Sequence, residues 1–473
     1  MKKILVAIFN QEYWHQSVAI EIVLTHLYQG EVVTLLDLSS QFTNSCHSVY
    51  VGKNLREKFP SLYPMNRLAN NLKRNFPAKF EYITNLTLSN FKLKETLNLE
   101  VIKDAVFKDL VSESKEFKPN LKIYAERYEK KKKDFIQLYQ LLLNFLDDNF
   151  KFVYTYNGRF LNERALWEAC KTKNIKIKFH DRFVLGWTDK YWIWESHVHD
   201  TKYRAQVVRT FSKRHEIKSM TKENEIRILN EWMQNREKSI SQPYTSFQQE
   251  NFKKNNNQNT LVSFFTSSED ELIYTNLKSL DWPSQITTVR KLIKFFKNEN
   301  VEFIVRVHPN LQHKSKKTQL TWLQLKEEVA SLKNIKVILP LEKIKSYDIL
   351  NESDVVITSG STVGVEAVLR NKPTFLLGKS LYDGLSIGYK SKNQFEFKQQ
   401  FRNIETGNFK VNSREAKNYV YFLEFGGIRI RHGKIKSPRY KSNKTIDPEV
   451  IFFNKFSVKI SNSLKLMNRI FER

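Results

Sequence analysis

The chain has 473 residues, enough for two or three domains with cores of their own, and its 41% apolar and 13% aromatic content excludes a disordered chain. Its two cysteines, Cys46 and Cys170, form no CxxC pair, which excludes a disulfide framework or thiolate zinc site and makes a reducing cytoplasm the expected compartment. Lys and Arg number 78 against 50 Asp and Glu, a formal charge of +28 that favours anionic partners, although a Lys- and Asn-rich, Gly-poor composition of AT-rich coding gives the same excess.

Met1-Lys2-Lys3 followed by ILVAIF imitates a signal peptide. The apolar run breaks at Asn10-Gln11-Glu12, too early for an h-region, and reads instead as a buried first strand over 4–9. No later run reaches the roughly 18 apolar residues of a spanning helix. The loop 10–17 carries Glu12, Trp14 and His15. A helix over 18–28, Gly30 as its stop and a strand over 32–36 complete a βαβ unit without GxGxxG, so it carries no dinucleotide fingerprint. Residues 50–150 are helical in pattern and heavily charged. Within them 124–148 is clearest, basic at Arg127 and Lys130 to Lys133 and apolar around 138–146. This insertion reads as a solvated helix with one core face, or as a surface for an acceptor or a membrane.

Residues 152–156 form the next strand, with Asn157-Gly158-Arg159 at its end. A helix over 163–173 leads to a strand over 175–179 ending in His180-Asp181-Arg182, and His197, His199 and Asp200 follow. Residues 222–238 are helical. The polar, aperiodic stretch 248–260 (QQENFKKNNNQNT) reads as a linker. Residues 261–265 open a second α/β region as a strand whose terminal loop is Thr266-Ser267-Ser268-Glu269. A helix over 286–297 precedes a strand over 301–307, which Pro309 stops. Strand 335–339 and a short helix over 346–350 lead to SDVVITSGSTVGVEAVLRNKPTFLLG.

In that stretch Val355 to Ile357 is a buried parallel strand, Thr358 to Thr362 a small hydroxyl-rich loop, 363–369 a helix and 374–377 a further strand. The loop lies at the carboxyl end of a strand, where ligands bind in open α/β sheets. It offers backbone N–H groups, hydroxyls and a helix N-terminus to an anion. Arg306 and His308 sit at another strand end and suit a phosphate.

RVHPN followed by SDVVITSGSTVGVEAVLRNKPTFLLG resembles bacterial surface-polysaccharide glycosyltransferases of the GT-B fold, capsule and lipopolysaccharide enzymes among them. Kdo-transferase and bacterial sialyltransferase groups are more distant relatives. The resemblance covers about residues 260 to 390, and to a lesser degree 150 to 200, where the Asn157-Gly158-Arg159 strand end is similar and Asp181 stands where a Glu is usual. It implies two doubly wound Rossmann-type domains facing across a cleft. The expected spans are 1–247, with a helical insertion at about 50–150, linker 248–260, second domain 261–435 and a basic helical tail 436–473. That tail either crosses back to the first domain or lies on a membrane.

The resemblance places the phosphate or sugar of a nucleotide-sugar donor at His308, Pro309, Ser359, Ser361 and Thr362, and the donor ribose or sugar at Glu366. Arg306, Gly360, Ser267 and Ser268 join them as neighbours in the same loops. Glycosyl transfer needs the departing phosphate stabilised and the acceptor hydroxyl deprotonated. Asp181 is the first choice of base, then Glu12 and His15, with His199 and Asp200 third; Asn157, Arg159, His180 and His199 form the acceptor side. Each also has an ordinary reading, Ser361 as a helix cap or Arg306 as a partner of a sheet carboxylate. No DxD flanked by apolar residues occurs, so neither metal nor cofactor is expected. The expected partners are a nucleotide sugar, a glycan or lipid-linked glycan acceptor and the inner face of the cell membrane. Nucleic acid is not expected, since no RRM, KH, helix-turn-helix or zinc-finger pattern occurs. The alternatives are a CDP-linked glycerophosphotransferase of teichoic-acid type, a basic nucleic-acid-binding protein and a non-catalytic GT-B domain.

Overall fold

The computed structural model describes residues 2–10, 13–42, 45, 65–87, 97–183, 190–238, 247–254, 259–275, 281–436 and 449–452. The first half alternates β1 (Lys3–Ile8), α1 (Tyr13–Tyr28), β2 (Val33–Asp37), α2 (Met65–Asn75) and β3 (Phe80–Ile83). After them come α3 (Leu99–Ser114), α4 (Ala125–Phe145), β4 (Phe150–Tyr156), α5 (Leu161–Thr172), β5 (Lys176–Arg182) and β6 (Lys190–Trp194). Helices α6 (Thr201–Phe211) and α7 (Lys222–Glu237) lead to the second half. That half contains β7 (Thr260–Phe265), α8 (Gln285–Phe296), β8 (Val301–Arg306), α9 (Lys316–Glu328), β9 (Ile335–Ile338) and α10 (Ser346–Glu352). It continues with β10 (Val355–Thr358), α11 (Val363–Leu369), β11 (Thr374–Leu376), α12 (Gln394–Glu405), α13 (Arg414–Phe425) and β12 (Ile428–Arg429).

The first sheet has the order β12-β6-β5-β4-β1-β2-β3 and the second β11-β10-β7-β8-β9. Strands β3-β2-β1-β4-β5 and β9-β8-β7-β10-β11 are parallel throughout, so both halves are doubly wound in the same order. The β-branched and aromatic runs of β1, β7, β8 and β10 are buried because helices cover both faces. Each sheet reverses direction once, between β1 and β4 and between β7 and β10. The loops leaving those strands therefore flank a crevice at each reversal.

The inserted helices are held by charge as well as by apolar packing. Phe135, Leu138 and Leu142 of α4 enter the first core. Lys131, in the middle of the basic run, is fully buried on Asp109 at 2.5 Å and Glu113 at 2.9 Å. Asp109 also accepts the N–H of Leu161 at the start of α5. Strand β3 lies inside the span expected to be helical, as the edge of the first sheet.

A further apolar core joins the halves, with Phe179, Trp194, Phe211 and Trp232 on one side and Val365, Leu376, Tyr382 and Phe422 on the other. The chain returns to the first sheet at β12, which pairs antiparallel with β6, inside the expected second-domain span of 261–435. Arg431 and His432 then donate their N–H groups to Glu21 of α1. Of the tail expected to be helical, 449–452 is a strand paired with 433–436; its other residues from 437 onward lie outside the described residues.

Candidate functional site at the two sheet reversals

In the second sheet the loops after β7, β8 and β10 brace one another. Ser267 Oγ donates to Ser359 O at 2.5 Å, and the side-chain amide of Gln285 grips Ser267 through its N–H and carbonyl. Thr358 Oγ1 donates to Phe265 O and accepts the N–H of Ser361. Gly360 takes φ +88, and a Cβ there would sit 2.4 Å from Leu272 Cδ1 and 2.5 Å from Lys379 O, so only glycine fits. Ser361 Oγ caps Val363 N, and Tyr382 donates to Ser361 O at 2.6 Å. Ser267, Ser268, Ser359 and Ser361 are all largely buried.

His308 joins this group. Its N–H donates to Thr266 Oγ1 at 2.7 Å, and its Nδ1 accepts from Asn310 N at 3.1 Å. Asn310 in turn donates to Ser268 Oγ. Pro309 starts the short 3-10 helix Pro309–His313 that makes this cap. Burial pushes the imidazole down to about 4, helped by Lys314, Arg306 and Arg236. The ring is therefore neutral at pH 7, and with Nδ1 accepting, its hydrogen is on Nε2.

Two residues expected on the donor side are bound elsewhere. Arg306 is fully buried; its guanidinium donates to Leu339 O at 2.7 Å, Ser346 Oγ at 2.9 Å and Glu342 O at 3.3 Å. Burial lowers it to about 10. It ties β8 to the β9–α10 connection instead of facing a phosphate. Glu366 is 0% exposed and pairs with Arg236 Nε of α7 at 2.7 Å. The same guanidinium donates to Thr362 Oγ1 at 2.5 Å. Arg236, 130 residues from Glu366 in the chain, carried no sequence signal. Glu269, in the loop after β7, was also missed. Burial pushes its carboxyl up to about 7, against the opposing N–H of Gln285 and the charge of Lys379.

In the first sheet Asn157 (φ +48) and Gly158 (φ +77) turn the chain sharply after β4. A Cβ at Gly158 would meet the Phe179 ring at 2.4 Å. Asn157 Nδ2 donates to Asp181 Oδ2 at 2.6 Å, and Arg182 N donates to Asp181 Oδ1 at 2.7 Å. Burial holds the Asp181 carboxyl above its usual range, with Arg159 opposing. His180 is buried and driven down to about 3. His15 stacks on Tyr156 with centroids 3.4 Å apart. Glu12 lies outside the described residues.

The halves meet at Tyr274, at the end of the 3-10 helix Glu269–Tyr274. Its hydroxyl donates to Lys108 O at 3.0 Å and accepts from Ser112 Oγ at 2.6 Å, both on α3. Its ring faces Arg159 at 5.6 Å and His199 at 5.6 Å. A cavity of about 210 Å³ opens beside it, walled by Asp104, Lys108, Arg159, Arg164, Trp167 and His197 among others. Among the described residues no group of three or more His, Cys, Asp or Glu is placed to hold a metal ion, and no helix is long and apolar enough to cross a membrane.

Residues 193–420 match the model of a family described as capsule polysaccharide biosynthesis protein. No curated protein matches the chain in sequence. Among solved structures, the KpsC β-Kdo 2,4-transferase of Thermosulfurimonas dismutans is 13% identical, over 64% of this chain and 85% of that one, with a TM-score of 0.32. The UDP-GlcNAc 2-epimerase of Neisseria meningitidis bound to UDP-GlcNAc is 9% identical, over 89% and 98%, at 0.29. Anabaena Alr3699/HepE in complex with UDP and glucose is 12% identical, over 90% and 96%, at 0.29.

Proposed function

We propose that this chain, whose residues 193–420 match the model of the capsule polysaccharide biosynthesis family, is a glycosyltransferase that moves a sugar from a nucleotide sugar to a growing bacterial surface glycan. The observation that carries the reading is the braced set of loops at the reversal of the second sheet. Ser267, Ser359, Ser361 and His308 meet there at the carboxyl ends of β7, β8 and β10. The donor phosphate sits in that crevice. Its departure is helped by a neutral His308 and by the backbone N–H groups of Gly360 and Thr362, since those of Ser359 and Ser361 are held by Phe265 O and Thr358 Oγ1. These donors are fixed beforehand, so little reorganisation accompanies the development of charge.

The acceptor lies against the first half, at the reversal between β1 and β4. Asp181 takes the proton of its hydroxyl. Burial makes this carboxylate a stronger base than an exposed one, and Asn157 and Arg182 N–H hold its oxygens in place. Residues 1–247 form the acceptor domain and 261 onward the donor domain. The enzyme works at the inner face of the cell membrane. The turn between α3 and α4 supports that placement, because Ile123 is 75% and Leu121 44% exposed beside the exposed Lys118 and Lys122.

The test is thermal unfolding with CMP, CDP, UDP, GDP and ADP on the wild type and on His308→Ala. One nucleotide at about 100 times its Kd stabilises by roughly 2.7 kcal/mol, and the variant loses that shift. CMP would identify a Kdo or sialic acid donor, and UDP or GDP a hexose. No shift with any nucleotide sinks the reading.

A further inference from the structure

We propose that Arg159 anchors a site for one oxyanion group of the acceptor glycan, a carboxylate or a phosphate; this deepens the transferase reading above and rests on it. The site is the cavity of about 210 Å³ beside Tyr274.

The inference follows from comparing the three cations on its wall. Lys108 is paired with Asp104 at 2.9 Å. Arg164 is paired with Glu168 at 2.8 Å and lies over the Trp167 ring at 4.4 Å. Arg159 differs. Among the described residues no carboxylate stands within ion-pairing distance of it, and its Nε is buried with no acceptor. The anions it senses, Asp181 and Glu271, act on it only at longer range. Asp181 already accepts from Asn157 and Arg182.

Arg159 is partly exposed, but a guanidinium Nε buried without an acceptor is costly, and folded chains rarely leave such a donor unless something binds there. Arg159 is also held in place. It lies over Phe160 at 4.5 Å and faces Tyr274 at 5.6 Å, so its plane is fixed by two rings from opposite halves of the molecule. A fixed planar fork matches the paired oxygens of a carboxylate or phosphate.

His197 on the wall and His199, which packs beside Tyr274, do not compete for that charge. Burial keeps His197 and His199 neutral, with Arg159 among the cations reinforcing this in both. His197 Nδ1 accepts from His199 N, and His199 Nδ1 is buried without a partner. Trp167, with His197 stacked on it at 5.4 Å and Arg164 over its ring at 4.4 Å, adds apolar surface to the lining. The combination of a guanidinium without a carboxylate partner and neighbouring neutral imidazoles describes an acidic or phosphorylated saccharide better than a neutral one.

The test is thermal unfolding at matched ionic strength with glucuronate, glucose 6-phosphate and glucose. Protection by glucuronate alone assigns a carboxylate, by glucose 6-phosphate alone a phosphate, and by both a general oxyanion site. Each of these supports the proposal when glucose does nothing. Arg159→Gln should weaken the protecting ligand about tenfold or more. Arg159→Lys, which keeps the charge and the fold but not the fork, should weaken it by less; it carries the test should Arg159→Gln not fold. Equal protection by glucose, protection by neither anion, or protection unchanged in the variants overturns the proposal. Nucleotide protection is measured in the same plates. If nucleotides stabilise and the anions do not, this inference falls alone; if no nucleotide stabilises, the transferase reading falls first. Nucleotide protection lost in Arg159→Gln would place Arg159 in the donor site and also overturn the proposal.

Discussion

Replacing Glu366 by Ala tests whether this carboxylate holds the structure together or holds the donor. Its side chain is 0% exposed, and Oε1 lies 2.7 Å from Arg236 Nε. Arg236 is itself only 7% exposed and keeps one other hydrogen-bond acceptor, the hydroxyl of Thr362 at 2.5 Å. Removing the carboxylate therefore leaves a guanidinium charge buried. Breaking a buried pair from one side costs about 3–5 kcal/mol. With an unfolding entropy of about 2.1 cal/mol/K per residue, cooperative unfolding of a chain this long changes by roughly 1 kcal/mol per degree, so Tm should fall by about 3–5 °C. Glu366→Gln keeps an acceptor for Arg236 and should cost less. Replacing both partners by apolar residues, Arg236→Met with Glu366→Leu, should recover much of the loss, since an apolar pair of similar volume is often as stable as a buried ion pair. The assay is a melting curve beside donor KM for the four proteins. A Tm unchanged in Glu366→Ala, with KM for the donor raised, would refute this reasoning and restore the sugar-binding role that the family resemblance gave this residue.

Gly360→Ala should destabilise the donor loop by at least about 1 kcal/mol and abolish nucleotide protection, because φ +88 and contacts of 2.4 and 2.5 Å leave no room for a methyl; a variant that still shows the wild-type nucleotide shift would contradict the loop geometry. His180 is buried neutral at about 3, well below its ordinary 6.5. The folded state then binds fewer protons than the unfolded one, so the stability it contributes is complete above pH 6.5 and is lost as pH falls. His180→Gln should remove about 2 kcal/mol of the loss between pH 7.5 and 5, read from urea midpoints, and an unchanged pH slope would contradict this. Glu269 runs the other way. With its carboxyl at about 7 against an ordinary 4.5, its contribution is complete below pH 4.5 and lost as pH rises through 7. Glu269→Gln should flatten stability across that window, and parallel curves for variant and wild type would count against the burial of this group.

The doubly wound character of both halves follows from features visible in the chain. Buried β-branched runs alternate with helices, and hydroxyl or Asn-Gly loops stand where strands end, so the reversal crevices were legible from 152–159 and 355–362. What could not be read is the direction in which a polar side chain turns once both faces of a strand are covered. Arg306 stands at the end of β8, as expected, but three acceptors in the β9–α10 connection capture it. Glu366 lies one turn into α11, as expected, yet a helix far back in the chain supplies its partner. Lys131 looks solvated within RYEKKKK, and only the fold places Asp109 beneath it. Strand β3, with the sequence FEYI, is too short and too isolated among charged helices to show a period of two.

Tyr274 links the two sites structurally. The short segment from Ser267 to Tyr274 holds Ser359 at one end and α3 at the other. Between them Glu269 accepts the N–H of Gln285, whose side chain grips Ser267. A displacement of the loop at Ser359 strains the Ser267 contacts and, through the segment that follows, the position of Tyr274. Moving Tyr274 shifts the ring that faces Arg159 and the hydroxyl that holds Lys108 O, two groups on the wall of the first-half cavity. The loop at Ser359 and the cavity are thus joined by the short segment from Ser267 to Tyr274, hydrogen-bonded at both ends, apart from the apolar core that also holds the two halves together. Cutting it at Tyr274, with Phe in place of Tyr, removes both hydroxyl bonds while leaving the ring in place, which separates the coupling from the packing.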